Sequence, residues 1–286
     1  MAPKTIFAVP GTWEIGPGNY PNTPIGMMKK LTDLLNRSVF DVQHVNYPAR
    51  FGPIAANGEP PLSQLGSPSY AQSVQMGVDE VIRLIKLMPA GRKFGVVGYS
   101  QGGAVASRVG EALLTDPTLA GRKNDCFWIH TFASPHRAQG RTFHQGNTLA
   151  GRGISGQPIG GFGAPGLPAT LDWFDYCLPD DMYGNAIEDS YLVAGYEVVK
   201  DMSLIDPVAW AAAVGTAITN GEVAEAMTDL NTDPLTFARK VYNTVDALNR
   251  FTSSGVHGRY AIDQIIPGKT AIAHSANHLN YWGPRR

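Results

Sequence analysis

The sequence predicts an α/β protein with a mostly parallel central sheet flanked by helices. Three observations predict it. Short apolar runs alternate with helix-periodic segments through the first half of the chain. One of those runs, Phe94 to Gly98, passes through a glycine-dense turn directly into an amphipathic segment. From Ser203 to Phe251 the pattern turns helical only.

Taken in order, Thr5 to Val9 reads as the first strand, stopped by Pro10-Gly11. Val42 to Tyr47 reads as the second, closed by Pro48. Ser67-Pro68 fits an N-cap followed by a first-turn proline, which is tolerated there because its missing N–H would have no partner. Val74, Val78, Val81, Ile82 and Ile85 then recur at helical spacing until Pro89 and Gly91. Phe94 to Gly98 is the next strand, Gln101 to Leu114 the next helix and Phe127 to Phe132 another strand. Gly146 to Pro168 is too glycine-dense for helix or strand, and loops of that length in a compact domain are usually functional or mobile. Trp173 to Leu178 completes the strands. Asp206-Pro207 and Asp233-Pro234 both fit helix starts, and Asn220-Gly221 a helix stop. The division expected is a core of 1–200 and 252–286 with a helical linker or cap, 201–251, inserted in it.

Composition bounds the function. The 286 residues carry a net charge of −1 and the isoelectric point is near 6.6, with no basic face for nucleic acid. No uncharged apolar run approaches the roughly 20 residues of a membrane span. Met1-Ala2-Pro3-Lys4 leads straight into a strand without the apolar segment of a secretory signal, so synthesis and folding in a cytoplasm are expected. Cys126 and Cys177 make neither a disulfide framework nor a metal motif and read as core thiols.

Gly98-Tyr99-Ser100-Gln101-Gly102 fits G-x-S-x-G, a weak pattern alone but a specific one between a strand and a helix. A serine on a sharp strand-to-helix turn needs neighbours without side chains, and Gly98, Gly102 and Gly103 provide them. The turn projects the hydroxyl outward and sets the helix N-terminus, with its N–H groups and positive dipole end, beside any developing oxyanion. This is the nucleophile elbow of the α/β-hydrolases. Neither G-x-G-x-x-G nor a Gly-Lys-Ser/Thr ending is present, which excludes the two common phosphate-binding turns.

Serine is a poor nucleophile at neutral pH and needs a histidine base oriented by a carboxylate, in the chain order Ser, acid, His on this fold. Asp180 and Asp181 follow the last strand and are both placed for the acid, while Asp172 and Asp175 fall inside it. His44, His130, His136 and His144 precede the acid; His257, His274 and His278 follow it. His257 sits among small residues suited to presenting a side chain and is the first choice for the base, with His278 in reserve. His274 and His278 share a helix face, but without an H-E-x-x-H arrangement they read as packing or solvated residues, and no metal or cofactor is expected. The second oxyanion donor belongs after an early strand, where Thr12 would pair its N–H with that of Gln101. Trp13 is equally a hydrophobic plug.

Across essentially its whole length the chain resembles the lysin B family of mycobacteriophages, which is related to cutinases. The carriers are Val9-Pro10-Gly11-Thr12-Trp13, Gly98 to Gly103, Ser134-Pro135-His136-Arg137 and Asp180-Asp181-Met182-Tyr183. The last looks like the family's Gly-Asp-Met-Tyr, which implies Asp181 as the acid. His257-Gly258-Arg259-Tyr260 looks like the His-x-x-Tyr of cutinase-like enzymes, although His278 to Tyr281 has the same spacing. Ser203 to Phe251 is similar to the family's helical linker. The chain departs from the pattern where Asp180 replaces the glycine, and where Gly184 stands at the position of a partner for Cys177 in a cutinase-type disulfide.

The resemblance implies hydrolysis of the ester joining mycolic acids to arabinogalactan, by a protein made in the host cytoplasm that acts at the bacterial cell envelope. Two other readings stand beside it: a cutinase-like esterase or lipase on ordinary lipids, and a non-catalytic envelope-binding protein on the same fold. The missing cysteine pair and secretion signal weigh against the first, and the intact elbow against the second.

Overall fold

The computed structural model describes residues 2–15, 25–52, 66–143, 149–200 and 223–286. Strands β1 (Lys4–Val9), β2 (Phe40–His44), β3 (Phe94–Tyr99), β4 (Cys126–Phe132) and β5 (Asp172–Tyr176) form one sheet in the order β2-β1-β3-β4-β5. Every pairing in it is parallel. The three central strands are buried at every position, whereas β2 at the edge alternates buried and open residues. That difference is why the central runs read as continuous apolar segments. Helices α1 (Gly26–Thr32), α2 (Tyr70–Leu87) and α3 (Gln101–Thr115) cover the sheet together with α7 (Ala271–Trp282); α2 packs on α3, and α1 on α7. The fold is that of an α/β-hydrolase.

Between β5 and α7 the chain forms α4 (Leu192–Val199), α5 (Ala224–Thr232) and α6 (Pro234–Ser254). Asp233 caps α6 through its side chain, with Pro234 in the first turn as its sequence requires. Ala247, Leu248 and Phe251 on α6 join the main core, while Tyr191, Val223 and Ala226 form a small separate cluster. A hairpin of β6 (Gln264–Ile266) and β7 (Lys269–Thr270) precedes α7. The expected helix signals Asp206-Pro207 and Asn220-Gly221, and His144, lie outside the described residues.

Several boundaries differ from expectation. Strand β2 covers Phe40–His44, not Val42 to Tyr47, because Tyr47 turns inward and donates its hydroxyl to Pro10 O at 2.6 Å. Helix α2 is capped by Ser69, not Ser67. Ser69 Oγ accepts from Gln72 N and the Gln72 side chain returns to Ser69 N, while Pro68 O accepts from Gly52 N. Strand β5 stops at Tyr176, since Leu178 N leaves the ladder and donates to the Tyr260 hydroxyl at 3.2 Å. The glycine-rich stretch is irregular from 149 to 168, yet Ile154 and Ser155 are buried and Ile154, Ser155 and Ile159 donate backbone bonds into neighbouring loops.

Candidate active site

The sheet order reverses direction between β1 and β3, and parallel sheets open a crevice beyond their carboxyl ends at such a point. Val9 pairs with Gly98 in register, so the loops after β1 and β3 leave the sheet side by side. The first carries Pro10 to Glu14 and the second carries Ser100. Ser100 N donates to Phe132 O on β4 at 2.8 Å, which pins the turn from the other side.

Ser100 has φ 54° and ψ −117°, a conformation that costs a non-glycine residue about 1–3 kcal/mol. The glycines around it are required sterically. A Cβ on Gly98 would lie 2.0 Å from Gly102 O, and one on Gly102 would lie 2.1 Å from Val9 O. Gln101 opens α3 with an N–H in the first turn, where helical amides have no intrahelical acceptor. Its buried side chain accepts from Ser73 Oγ at 3.0 Å and donates to Arg50 O at 2.8 Å, which fixes the peptide.

The expected partners converge on this serine. His257 lies in a one-turn 3-10 helix, Val256–Gly258, that follows the left-handed Gly255 ending α6. Its Nε2 is 2.8 Å from Ser100 Oγ and its Nδ1 is 2.8 Å from Asp181 Oδ2. A carboxylate can only accept, so Nδ1 carries the proton and Nε2 offers its lone pair to the serine. Asp181 is fully buried and also accepts from the Tyr260 hydroxyl at 2.8 Å and from Tyr183 N at 3.1 Å. Asp180 instead faces outward toward Arg250, 3.7 Å away.

The remaining histidines and acids are elsewhere. His278 Nε2 bonds to Asp172 at 2.9 Å, and His274 Nδ1 lies 2.9 Å from the Tyr176 hydroxyl. His130 Nδ1 contacts Ser275 Oγ at 2.7 Å, and His136 Nδ1 contacts Gln157 O at 2.9 Å. Burial holds His130 well below the usual imidazole range and brings His136 down to about 4. Among the described residues no group of three or more His, Cys, Asp or Glu side chains is arranged to hold a metal ion. Cys126 and Cys177 are both buried, as core thiols should be, and form no disulfide with each other.

Tyr99, Tyr183, Phe251 and Glu14 contribute without a role legible in the sequence. Tyr99 donates its hydroxyl to His257 O at 2.8 Å, and the rings of Tyr99, Tyr183 and Phe251 surround the imidazole at 5.1, 4.8 and 5.7 Å. Glu14 closes the loop after β1: its carboxylate accepts from Gly11 N at 2.9 Å and from Met27 N, while Trp13 N donates to Ala49 O at 2.9 Å. Burial raises the Glu14 carboxyl, against the opposing pull of those amides and of His257. Thr12 is held between these fastened neighbours. Trp13 packs partly buried against the core. Arg137, from the Ser134-Pro135-His136-Arg137 segment, is buried and donates to Gly184 O, to Gly151 O and to Thr142 Oγ1, the last at 2.6 Å. It thereby ties the turn that carries Asp181 to the glycine-rich stretch.

The comparisons follow the fold. Residues 39–149 match the PE-PPE domain family. The structure is similar to that of lysin B from Mycobacteriophage D29, with 21% identity and a TM-score of 0.59, covering 97% of this chain and 99% of the other. Less similar are a cutinase-like protein from Cryptococcus sp. (16% identity, TM-score 0.45, 74% of this chain and 94% of that one) and an acetylxylan esterase (18%, 0.42, 68% and 91%). No curated protein matches the sequence. The chain is thus an α/β-hydrolase by fold, built on an architecture like that of lysin B along almost its full length.

Proposed function

We propose that the chain is a serine esterase acting on a lipid ester, with Ser100 as nucleophile, His257 as general base and Asp181 as its orienting acid. The reading rests on the unbroken line from Ser100 Oγ through the His257 ring to Asp181, with 2.8 Å at each link. Ser100 Oγ attacks the ester carbonyl while His257 Nε2 takes its proton. The N–H groups of Thr12 and Gln101 receive the oxyanion. The imidazolium then protonates the leaving alcohol oxygen and an acyl-enzyme remains. Water, deprotonated by His257, attacks the acyl carbon, and collapse of the second tetrahedral species returns the proton to Ser100 and frees the acid.

The substrate we propose is the mycolic acid–arabinogalactan ester of the mycobacterial envelope, supported by the resemblance to lysin B. Residues 201–251 are proposed as a helical linker or cap on a core of 1–200 and 252–286, and the site of action as the cell envelope. Among the described residues no helix is long and apolar enough to cross a membrane. The first test is labelling by a fluorophosphonate probe. Wild type should label and Ser100→Ala should not, with ester turnover lowered by several orders of magnitude. Folded wild type that stays unlabelled refutes the reading. Release of mycolate from cell wall, compared with a chain-length series of synthetic esters, tests the substrate.

A further inference from the structure

A cavity of about 340 Å³ opens beside α3, on the flank that begins one turn after Ser100. Ala104, Arg108 and Glu111 of α3 line it at helical spacing, and Ala104 N donates to Ser100 O at 3.0 Å. At a rise of 1.5 Å per residue that wall extends from roughly 6 to 16 Å along the helix from the serine. The opposite wall comes from the loop after β4, through His136, from Gln157 in the glycine-rich stretch, and from Glu197 and Lys200 at the end of α4.

The chemistry of the walls selects a ligand class. His136 is buried, and its Nδ1 sits 2.9 Å both from Gln157 O, an atom that can only accept, and from Ser155 Oγ. Nδ1 therefore carries the proton, and Nε2 is left as an acceptor on a ring that lines the cavity. The formal charges of the lining cancel, with Arg108 and Lys200 against Glu111 and Glu197. Lys200 is paired with Glu197 at 2.5 Å, and Arg108 is steadied by Gln75 at 2.7 Å. The lining therefore has no formal net charge that would favour an ion over a neutral ligand. Val74, Ala104 and Ile159 add apolar patches among these planar polar groups. Apolar patches suit C–H faces, while guanidinium, carboxylate and amide groups match neighbouring hydroxyls.

We infer that this cavity is a saccharide-binding subsite that takes one or two rings of an uncharged glycan. Its volume lies at the small end of the roughly 300–1,000 Å³ of ligand pockets. As a binding site it stands apart from the esterase reading; as the seat of the sugar portion of an ester substrate it rests on that reading.

The test is titration of the full chain with neutral trisaccharides of arabinose, galactose and glucose, followed by calorimetry and saturation-transfer NMR. Acetate and glycine serve as charged probes. At least one saccharide should bind in the millimolar range or tighter, and Arg108→Ala combined with Gln157→Ala should weaken it about tenfold, as loss of two hydrogen-bonding groups does. Hydrolysis of a small soluble ester should be unchanged in that variant, which also reports that it is folded. Absence of saccharide binding, binding indifferent to the variant, or equal competition by acetate or glycine would overturn the inference. Wild type that binds saccharide but hydrolyses no ester would sink the esterase reading and leave the subsite standing.

Discussion

Tyr260→Phe isolates the support beneath Asp181. The hydroxyl donates to Asp181 Oδ2 at 2.8 Å and accepts from Leu178 N at 3.2 Å, and both Tyr260 and Asp181 are fully buried. Removing it leaves the ring in place, strands Leu178 N without its acceptor and takes one hydrogen bond from Asp181 Oδ2, which keeps its bond to His257. A hydrogen bond to a charged group contributes about 1.5–3 kcal/mol, and an unpaired buried amide costs about 1–3 kcal/mol. The variant should lose roughly 3–5 kcal/mol of stability in urea at pH 7, against a total of only about 5–15 kcal/mol for a typical protein. Part of that loss belongs to the hydroxyl–carboxylate contact alone, which a double-mutant cycle with Asp181→Asn reads directly. The coupling energy should reach about 1 kcal/mol or more, since groups in one network couple by about 0.5–3 kcal/mol. Independent, additive losses would show that Tyr260 does not support the acid.

Other perturbations follow from the same geometry. Ser100→Gly should abolish turnover yet stabilise the fold by about 1 kcal/mol, because glycine removes the cost of the positive φ; equal or lower stability by urea denaturation would show that the elbow stores no strain. Gly98→Ala sets a Cβ 2.0 Å from Gly102 O and should cost more than about 3 kcal/mol in thermal unfolding while destroying activity. Asp175 is fully buried with its carboxyl pushed up to about 6, so the folded chain holds that proton more tightly than the unfolded chain does. Its contribution to stability should therefore be present below about 4 and be lost as pH rises through about 6; Asp175→Asn should flatten that part of the stability–pH curve, and an unchanged curve would refute the assignment. Gly184→Cys should oxidise to a bridge with Cys177, whose Sγ lies 2.6 Å from a Cβ built on Gly184, adding about 2 kcal/mol for so short a loop; thiol titration and reducing-agent-dependent unfolding check it.

The parts legible in the sequence share a physical cause: they are local. The elbow is readable because a strained turn demands glycines at fixed neighbouring positions, and Gly98 and Gly102 each face a carbonyl oxygen at about 2 Å from where a Cβ would sit. The central strands are readable because burial on both faces leaves no polar alternation. Chain order narrows the candidate base to the histidines after the candidate acid, and His257 is the one the fold brings to Ser100. Choosing Asp181 over Asp180 needed the resemblance, since neighbouring aspartates differ only in which way the turn points them. What stayed hidden depends on distant contacts. Tyr99 occupies a position the pattern leaves unspecified, yet it holds the backbone of a residue 158 positions later. Glu14 and Arg137 look like surface charges in sequence and are buried or clamped because loops from separate strands meet around them. The cap of α2 falls at Ser69 and the end of β5 at Tyr176, away from where local pattern puts them, for a similar reason: Pro68 and Leu178 place their backbone groups on partners distant in the chain.

The contact between Tyr99 and His257 has a consequence for how such a protein can vary. The residue before Ser100 grips the main chain of His257 directly, and Tyr260, one turn beyond His257, grips Asp181. The spacing of Ser100, His257 and Asp181 is therefore set by cross-links within the crevice, joined by Phe251 at the end of α6, and owes little to helix α5. Helix α5 and the outer face of α6 can change with little effect on the distance from Ser100 to His257. The Ser100 crevice and the surface that meets its surroundings are free to diverge at different rates.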